Sequence, residues 1–231
     1  MIRTEQIALP RVDGHITHAE RPRGGVLVLP TITGVDAHMR ERAGMLAEAG
    51  FSALIWNPYP GQQAPTDMAQ AQTMAATLND GAFGAMTACV DHMFGAMKLP
   101  NVAVMGFCLG GRYAVVLAGK DKRLAACVPY YPSIRVPNKQ NESEDALALA
   151  AQIACPVHLI HGSADKVFLQ PVFERLRGIL EQRPVATMVQ VHPGADHSFV
   201  RPDLHTNPAN IIATRLSWPP VVSFLQACLP G

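Results

Sequence analysis

The chain reads as one α/β domain built on a mostly parallel sheet with helices on both faces, and three observations carry that reading. From Gly25 onward, short β-prone apolar runs alternate with segments of helical period, the pattern of strands joined by crossover helices. The central runs, 25–29, 51–56 and 102–105, are apolar at nearly every position, as strands covered on both sides are. The 231 residues are 48% hydrophobic and 16% charged, with no internal repeat and no linker, which suits a single domain spanning 1–231.

Residues 6–9 and 15–19 read as two short strands around Asp13-Gly14, a hairpin that forms the antiparallel edge of the sheet. Strand 25–29 runs into the loop Pro30-Thr31-Ile32-Thr33-Gly34-Val35. Asp36 then caps a helix whose Met39, Ala43, Leu46 and Ala49 share a face and which stops at Gly50. Strand 51–56 ends in Asn57-Pro58-Tyr59-Pro60-Gly61, a turn cluster that takes the chain off the sheet. The Ala- and Met-rich stretch beyond it predicts helices near 68–78 and 83–97, and no Arg or Lys occurs between Asn57 and Met97. Strand 102–105 leads into a helix carrying Leu109, Tyr113, Val116 and Leu117 at helical spacing, with Gly119 as its stop. Strand 124–130, a polar loop over 133–144 and a short helix over 145–153 follow. Strands 157–161 and 186–192 flank a helix over 171–182. A last helix over 210–229 contains Pro219-Pro220 and is expected to kink or restart there.

Composition excludes several classes. A formal charge of +1 with no basic stripe leaves no electrostatic reason to bind nucleic acid. No membrane span is visible, and residues 1–23 mix charges with polar side chains where a secretory signal has an apolar centre. Five cysteines, an odd number without paired spacing, point to a reducing compartment and a cytoplasmic protein. Cys89, Cys127, Cys155 and Cys228 read as small apolar residues.

The fifth, Cys108, stands in Gly106-Phe107-Cys108-Leu109-Gly110-Gly111, between a strand and a helix. This is the thiol form of the nucleophile elbow, in which small residues on either side let the backbone turn sharply. At a helix N-terminus the dipole favours thiolate, and free N–H groups can receive an oxyanion. The bland reading is a buried structural cysteine in a glycine-assisted contact. Cys108 occupies the place of the middle glycine of a dinucleotide fingerprint, and no Lys-Ser/Thr pair follows as in a P-loop.

Sites in such sheets lie at the carboxyl ends of the strands. Two loops there carry proton-handling side chains: Asp165 in Gly162-Ser163-Ala164-Asp165-Lys166-Val167, and His197 in Gly194-Ala195-Asp196-His197-Ser198-Phe199. Nucleophile, acid, histidine is the chain order of the α/β-hydrolase triad. Asp165 read blandly is a loop-bending residue and His197 a surface histidine. The rivals His158, His161, His192 and His205 lie within strands, at a strand end or beside a Pro-rich turn. Asp196, adjacent to His197, is badly placed to fold back onto that imidazole. The histidines lack the pair spacing of a helix-borne metal site.

With these stretches and Gly34-Val35-Asp36-Ala37-His38-Met39-Arg40-Glu41, the chain resembles the dienelactone hydrolases, the carboxymethylenebutenolidase-like enzymes. The resemblance implies an α/β-hydrolase fold, no cofactor, no metal, and hydrolysis of a small-molecule lactone or ester by Cys108, His197 and Asp165. It also implies oxyanion donors at the N–H groups of Ile32 and Leu109, and a substrate-carboxylate contact from Arg201; Thr31 and Tyr59 are expected as further substrate contacts. Two departures stand out. Thr31 replaces a family glutamate, and the segment after strand 51–56 lacks the arginine that the family brings to a carboxylate. A noncatalytic α/β-hydrolase-like binding protein and a redox-sensing thiol protein remain the alternatives.

Overall fold

The computed structural model describes residues 2–230. Its strands are β1 (Arg3–Leu9), β2 (Val12–His18), β3 (Gly24–Leu29), β4 (Phe51–Trp56), β5 (Val102–Phe107), β6 (Ala126–Tyr130), β7 (Val157–Gly162) and β8 (Thr187–His192). They form one sheet in the order β1-β2-β4-β3-β5-β6-β7-β8. β1 pairs with β2, and β2 with β4, antiparallel; every other pairing is parallel. The helices are α1 (Ala37–Glu48), α2 (Met68–Thr77), α3 (Phe83–Gly95), α4 (Leu109–Lys120), α5 (Ala146–Ala150), α6 (Gln170–Glu181) and α7 (Pro208–Cys228).

Strand periodicity sorts the core into two layers. Successive side chains of a strand point to opposite faces, so Leu27 and Leu29 join Val102 and Val104 under α3 and α4. Val26 and Val28 join Ala103, Met105 and Phe107 against α1 and α7. All six residues of each of β3, β4, β5 and β7 are buried, which is why these runs lack polar alternation. Asp36 caps α1 as expected, its Oδ1 accepting the Met39 N–H at 2.8 Å, and Gly50 closes the helix at φ +92°.

Two expectations are corrected. The hairpin turns at Pro10-Arg11, with Arg11 at φ 69°, and Asp13-Gly14 lies inside β2. Gly14 serves close approach instead of a turn: a Cβ there would sit 2.1 Å from the Ile55 carbonyl oxygen. α7 also continues without a restart through Pro219 and Pro220. The carbonyls that the prolines leave without helical donors belong to Arg215 and Leu216, on the exposed face where water reaches them. On the other face Ala213, Val221, Phe224 and Leu225 are buried on both sides of the prolines, and that packing holds the helix together.

Candidate active site

The elbow between β5 and α4 depends on three glycines. A Cβ on Gly106 would lie 2.0 Å from the Gly110 carbonyl oxygen, and one on Gly110 would lie 2.0 Å from that of Leu29. On Gly111 it would meet the Tyr130 oxygen at 2.8 Å. The helix therefore starts pressed against the ends of β3 and β6, and Cys108 is forced to φ 55°, ψ −112°, a conformation that side-chain-bearing residues rarely adopt. The Cys108 N–H donates to Tyr130 O at 3.1 Å, while its carbonyl accepts from Arg112 N at 3.1 Å and Ser133 N at 2.9 Å. These bonds hold the strained residue at the carboxyl rim of the sheet.

Asp165 and His197 meet there. The side chain of Asp165 is fully buried; its Oδ1 accepts the N–H groups of Val167 at 2.7 Å and Phe168 at 2.8 Å. That leaves Oδ2 for His197 Nδ1, at 2.7 Å. The Tyr131 ring packs edge-on against the imidazole, with centroids 5.2 Å apart. Asp196 is turned away and accepts from Asn207 at 2.7 Å and Asn210 at 3.1 Å. The imidazole Nε2 is buried and makes no hydrogen bond of ordinary geometry among the described residues.

The electrostatics couple the thiol to the imidazole. Burial works against a Cys108 thiolate, but the positive charge of the neighbouring His197, with help from the Leu109 N–H, outweighs it, so the thiol titrates below its ordinary value. Burial likewise works against an imidazolium, yet the Cys108 charge and the Asp165 hydrogen bond raise His197 to about 10. Thiolate and imidazolium thus stabilise one another.

The site opens into a cavity of about 740 Å³ whose walls include Thr31, Ile32, Cys108, Leu109, His197 and Arg201. The first N–H of a helix has no intrahelical acceptor, so Leu109 is free to donate beside the thiol. The Ile32 N–H makes no backbone hydrogen bond among the described residues. Thr31 is buried, and its hydroxyl direction follows from its neighbours. Thr33 Oγ1 donates to Asp36 Oδ2 at 2.6 Å, so at 2.7 Å it must accept from Thr31 Oγ1.

Tyr59 is placed differently from the substrate contact expected of it. It is 3% exposed and off the wall of this cavity, and its hydroxyl donates to Ile32 O at 2.8 Å. Burial, with the nearby Cys108 charge adding to it, pushes Tyr59 up to about 12, so it stays a neutral donor that holds the Ile32 loop. Arg201 reaches the wall but is engaged, donating from Nε and Nη2 to Asp203 at 2.9 and 2.8 Å.

Other lining residues were not singled out by the sequence. α2 contributes Met68, Gln72, Ala75 and Ala76, and the loop after β6 contributes Ser133, Arg135 and Lys139. The available signal was position: that loop leaves the carboxyl end of a central strand, where sites gather. Among the described residues, no group of three His, Cys, Asp or Glu side chains is arranged to hold a metal, and no helix is long and apolar enough to cross a membrane.

The sheet order, the crossover helices and a residue turned outward at a strand-to-helix elbow define an α/β-hydrolase fold. The dienelactone hydrolase family model matches residues 12–229, and the chain belongs to that family. A carboxymethylenebutenolidase from Rhodococcus opacus is 26% identical over 218 residues, covering 92% of this chain and 85% of that protein. A Bradyrhizobium protein named a probable 2-oxo-3-(5-oxofuran-2-ylidene)propanoate lactonase is 26% identical over 214 residues, 85% of this chain and 86% of its own. Among solved structures, a dienelactone hydrolase-like promiscuous phosphotriesterase from metagenomic libraries superposes with a TM-score of 0.82 at 23% identity, covering 98% of each chain.

Proposed function

We propose that the protein hydrolyses a lactone or an activated carboxylic ester through Cys108, His197 and Asp165 by way of an acyl-thioester. The observation that carries this reading is the 2.7 Å bond from His197 Nδ1 to Asp165, with the strained Cys108 on the same cavity. The Cys108 thiolate attacks the carbonyl carbon, and the carbonyl π pair becomes an oxyanion received by the N–H groups of Ile32 and Leu109. Collapse breaks the ester C–O bond, and imidazolium Nε2 gives its proton to the departing oxygen. Water then loses a proton to Nε2 and attacks the thioester; the sulfur leaves with its electron pair, restoring thiolate and imidazolium. Because thiolate is itself a good leaving group, the first adduct reverts unless the oxygen leaves easily. Enol esters, strained lactones and aryl esters are therefore favoured over alkyl esters and amides. The family and the lactone-cleaving names of its relatives support the same class. The test is p-nitrophenyl acetate turnover with mass-spectrometric trapping of an acetyl group on Cys108; turnover without that adduct removes the thioester step.

Thr31 tests how the thiol is held. Thr31 adds no like charge beside Cys108, whereas a carboxylate there disfavours the thiolate. Iodoacetamide labelling of Cys108 is expected to reach its midpoint below the ordinary thiol range, since the thiol is held low. Thr31→Glu should move the midpoint upward, and so should His197→Ala, which removes the imidazolium. An unchanged midpoint in Thr31→Glu would place residue 31 outside the electrostatic reach of the sulfur.

A further inference from the structure

We propose that Arg135 and Lys139, on the loop after β6, form the subsite that reads an anionic group, a carboxylate remote from the reacting carbonyl, on the substrate of this hydrolase. The inference rests on the hydrolase reading above and adds to it the residues that select the substrate.

The charges of the cavity wall carry the argument. Aside from the thiol and imidazole, the lining holds three cations, Arg135, Lys139 and Arg201, against two carboxylates, Glu142 and Asp203. Asp203 is taken by Arg201 through two hydrogen bonds, a pairing that neutralises the guanidinium expected to bind a carboxylate. Glu142 is 8% exposed and turned inward, with Oε2 3.4 Å from Arg112 Nε. Neither the Arg135 guanidinium nor the Lys139 ammonium has an ion pair or a hydrogen bond among the described residues. Because Arg112 is already paired with Asp80, Glu142 offsets one of these two charges, and the net positive charge that remains in the cavity sits on this loop.

The loop is also held in place. Arg112, 1% exposed, bonds Asp80 through Nη1 at 2.8 Å and Nη2 at 3.1 Å, and the Glu144 carbonyl at 2.8 Å. Asp80 accepts the Glu144 N–H at 2.6 Å, Asn138 donates to the Glu144 carbonyl at 2.9 Å, and Asn141 donates to Leu78 O at 2.6 Å. Cations on an anchored loop lose less freedom on binding an anion than cations on a loose one. The same cavity is also lined by apolar surface, from Leu109 and Tyr113 and from Met68, Ala75 and Ala76 of α2. That wall suits a hydrocarbon stretch joining the acid to the ester.

The experiment compares the 4-nitrophenyl monoester of glutaric acid with 4-nitrophenyl valerate, in wild type, in Arg135→Gln/Lys139→Gln and in Arg201→Met. The double variant is expected to lower the acidic-to-neutral ratio of kcat/KM by about 10- to 100-fold, chiefly through KM, as for lost charge-assisted hydrogen bonds. Arg135→Lys/Lys139→Arg should keep most of the ratio, because it keeps both charges. Arg201→Met should change the ratio less than the double variant. A ratio unmoved in the double variant, or moved more by Arg201→Met, overturns the proposal while leaving the hydrolase intact. Glutarate-induced thermal stabilisation reads the subsite without turnover. If wild type cleaves neither ester, loss of that stabilisation in the double variant still upholds the subsite while the hydrolase reading fails; stabilisation that persists there overturns the subsite.

Discussion

Cys108→Ala is expected to lower turnover of activated esters by about 10⁴-fold or more, the scale on which loss of a nucleophile leaves only binding and oxyanion stabilisation. His197→Ala should fall nearly as far, because it removes the charge that favours the thiolate and, in the proposed mechanism, the acid that protonates the departing oxygen. The double variant should be little worse than either single one, since the two act as a unit. Asp165→Asn should leave a weak remainder: an amide retains one acceptor for the Val167 and Phe168 N–H groups but gives up the charge facing Nδ1. Steady-state kinetics with p-nitrophenyl acetate measure all four, with circular dichroism to verify folding. Wild-type turnover in Cys108→Ala would falsify the nucleophile assignment.

The largest effect on stability is expected at Arg112→Met. Arg112 is 1% exposed, and its partners Asp80 and Glu142 have side chains 4% and 5% exposed. Removing one member of a buried ion pair strands the opposite charge, at a cost of about 3–5 kcal/mol. Here two carboxylates would lose their guanidinium, so urea denaturation should place Arg112→Met at or beyond the upper end of that range. Adding Asp80→Asn to Arg112→Met should restore part of the loss, because the stranded charge is then gone. A midpoint within error of wild type would show the network to be energetically neutral. A folded Arg112→Met enzyme should also lose acidic-ester selectivity, since Arg112 and Asp80 anchor the loop of Arg135 and Lys139.

Departures from the expected elements follow physical lines. Asp13-Gly14 carries a turn signature because glycine tolerates unusual backbone angles, yet Gly14 is there for the Ile55 carbonyl, a neighbour 41 positions along the chain. Pro219-Pro220 reads as a helix break from local rules, while packing on the buried face and hydration of the opposite one keep α7 continuous. Tyr59 has the look of a residue at a site's edge, and its hydroxyl is used on the Ile32 carbonyl.

The layered α/β order, the strand-to-helix elbow and the placement of Cys108, Asp165 and His197 at strand ends were legible from the order of residues alone. These rest on local rules: strand and helix periods, the glycines that a sharp turn needs, and the placement of loops at strand ends. That Asp165 meets His197 while Asp196 bonds Asn207 and Asn210, and that Arg201 pairs with Asp203, became visible with the packing of the folded chain. Packing also brings Arg112 to Asp80 and leaves Arg135 and Lys139 as the cavity's cations without an ion pair among the described residues. A side chain's type and local period say what it can bond. Which partner it meets depends on how distant segments pack, and charge balance in a cavity is the sum over all of them.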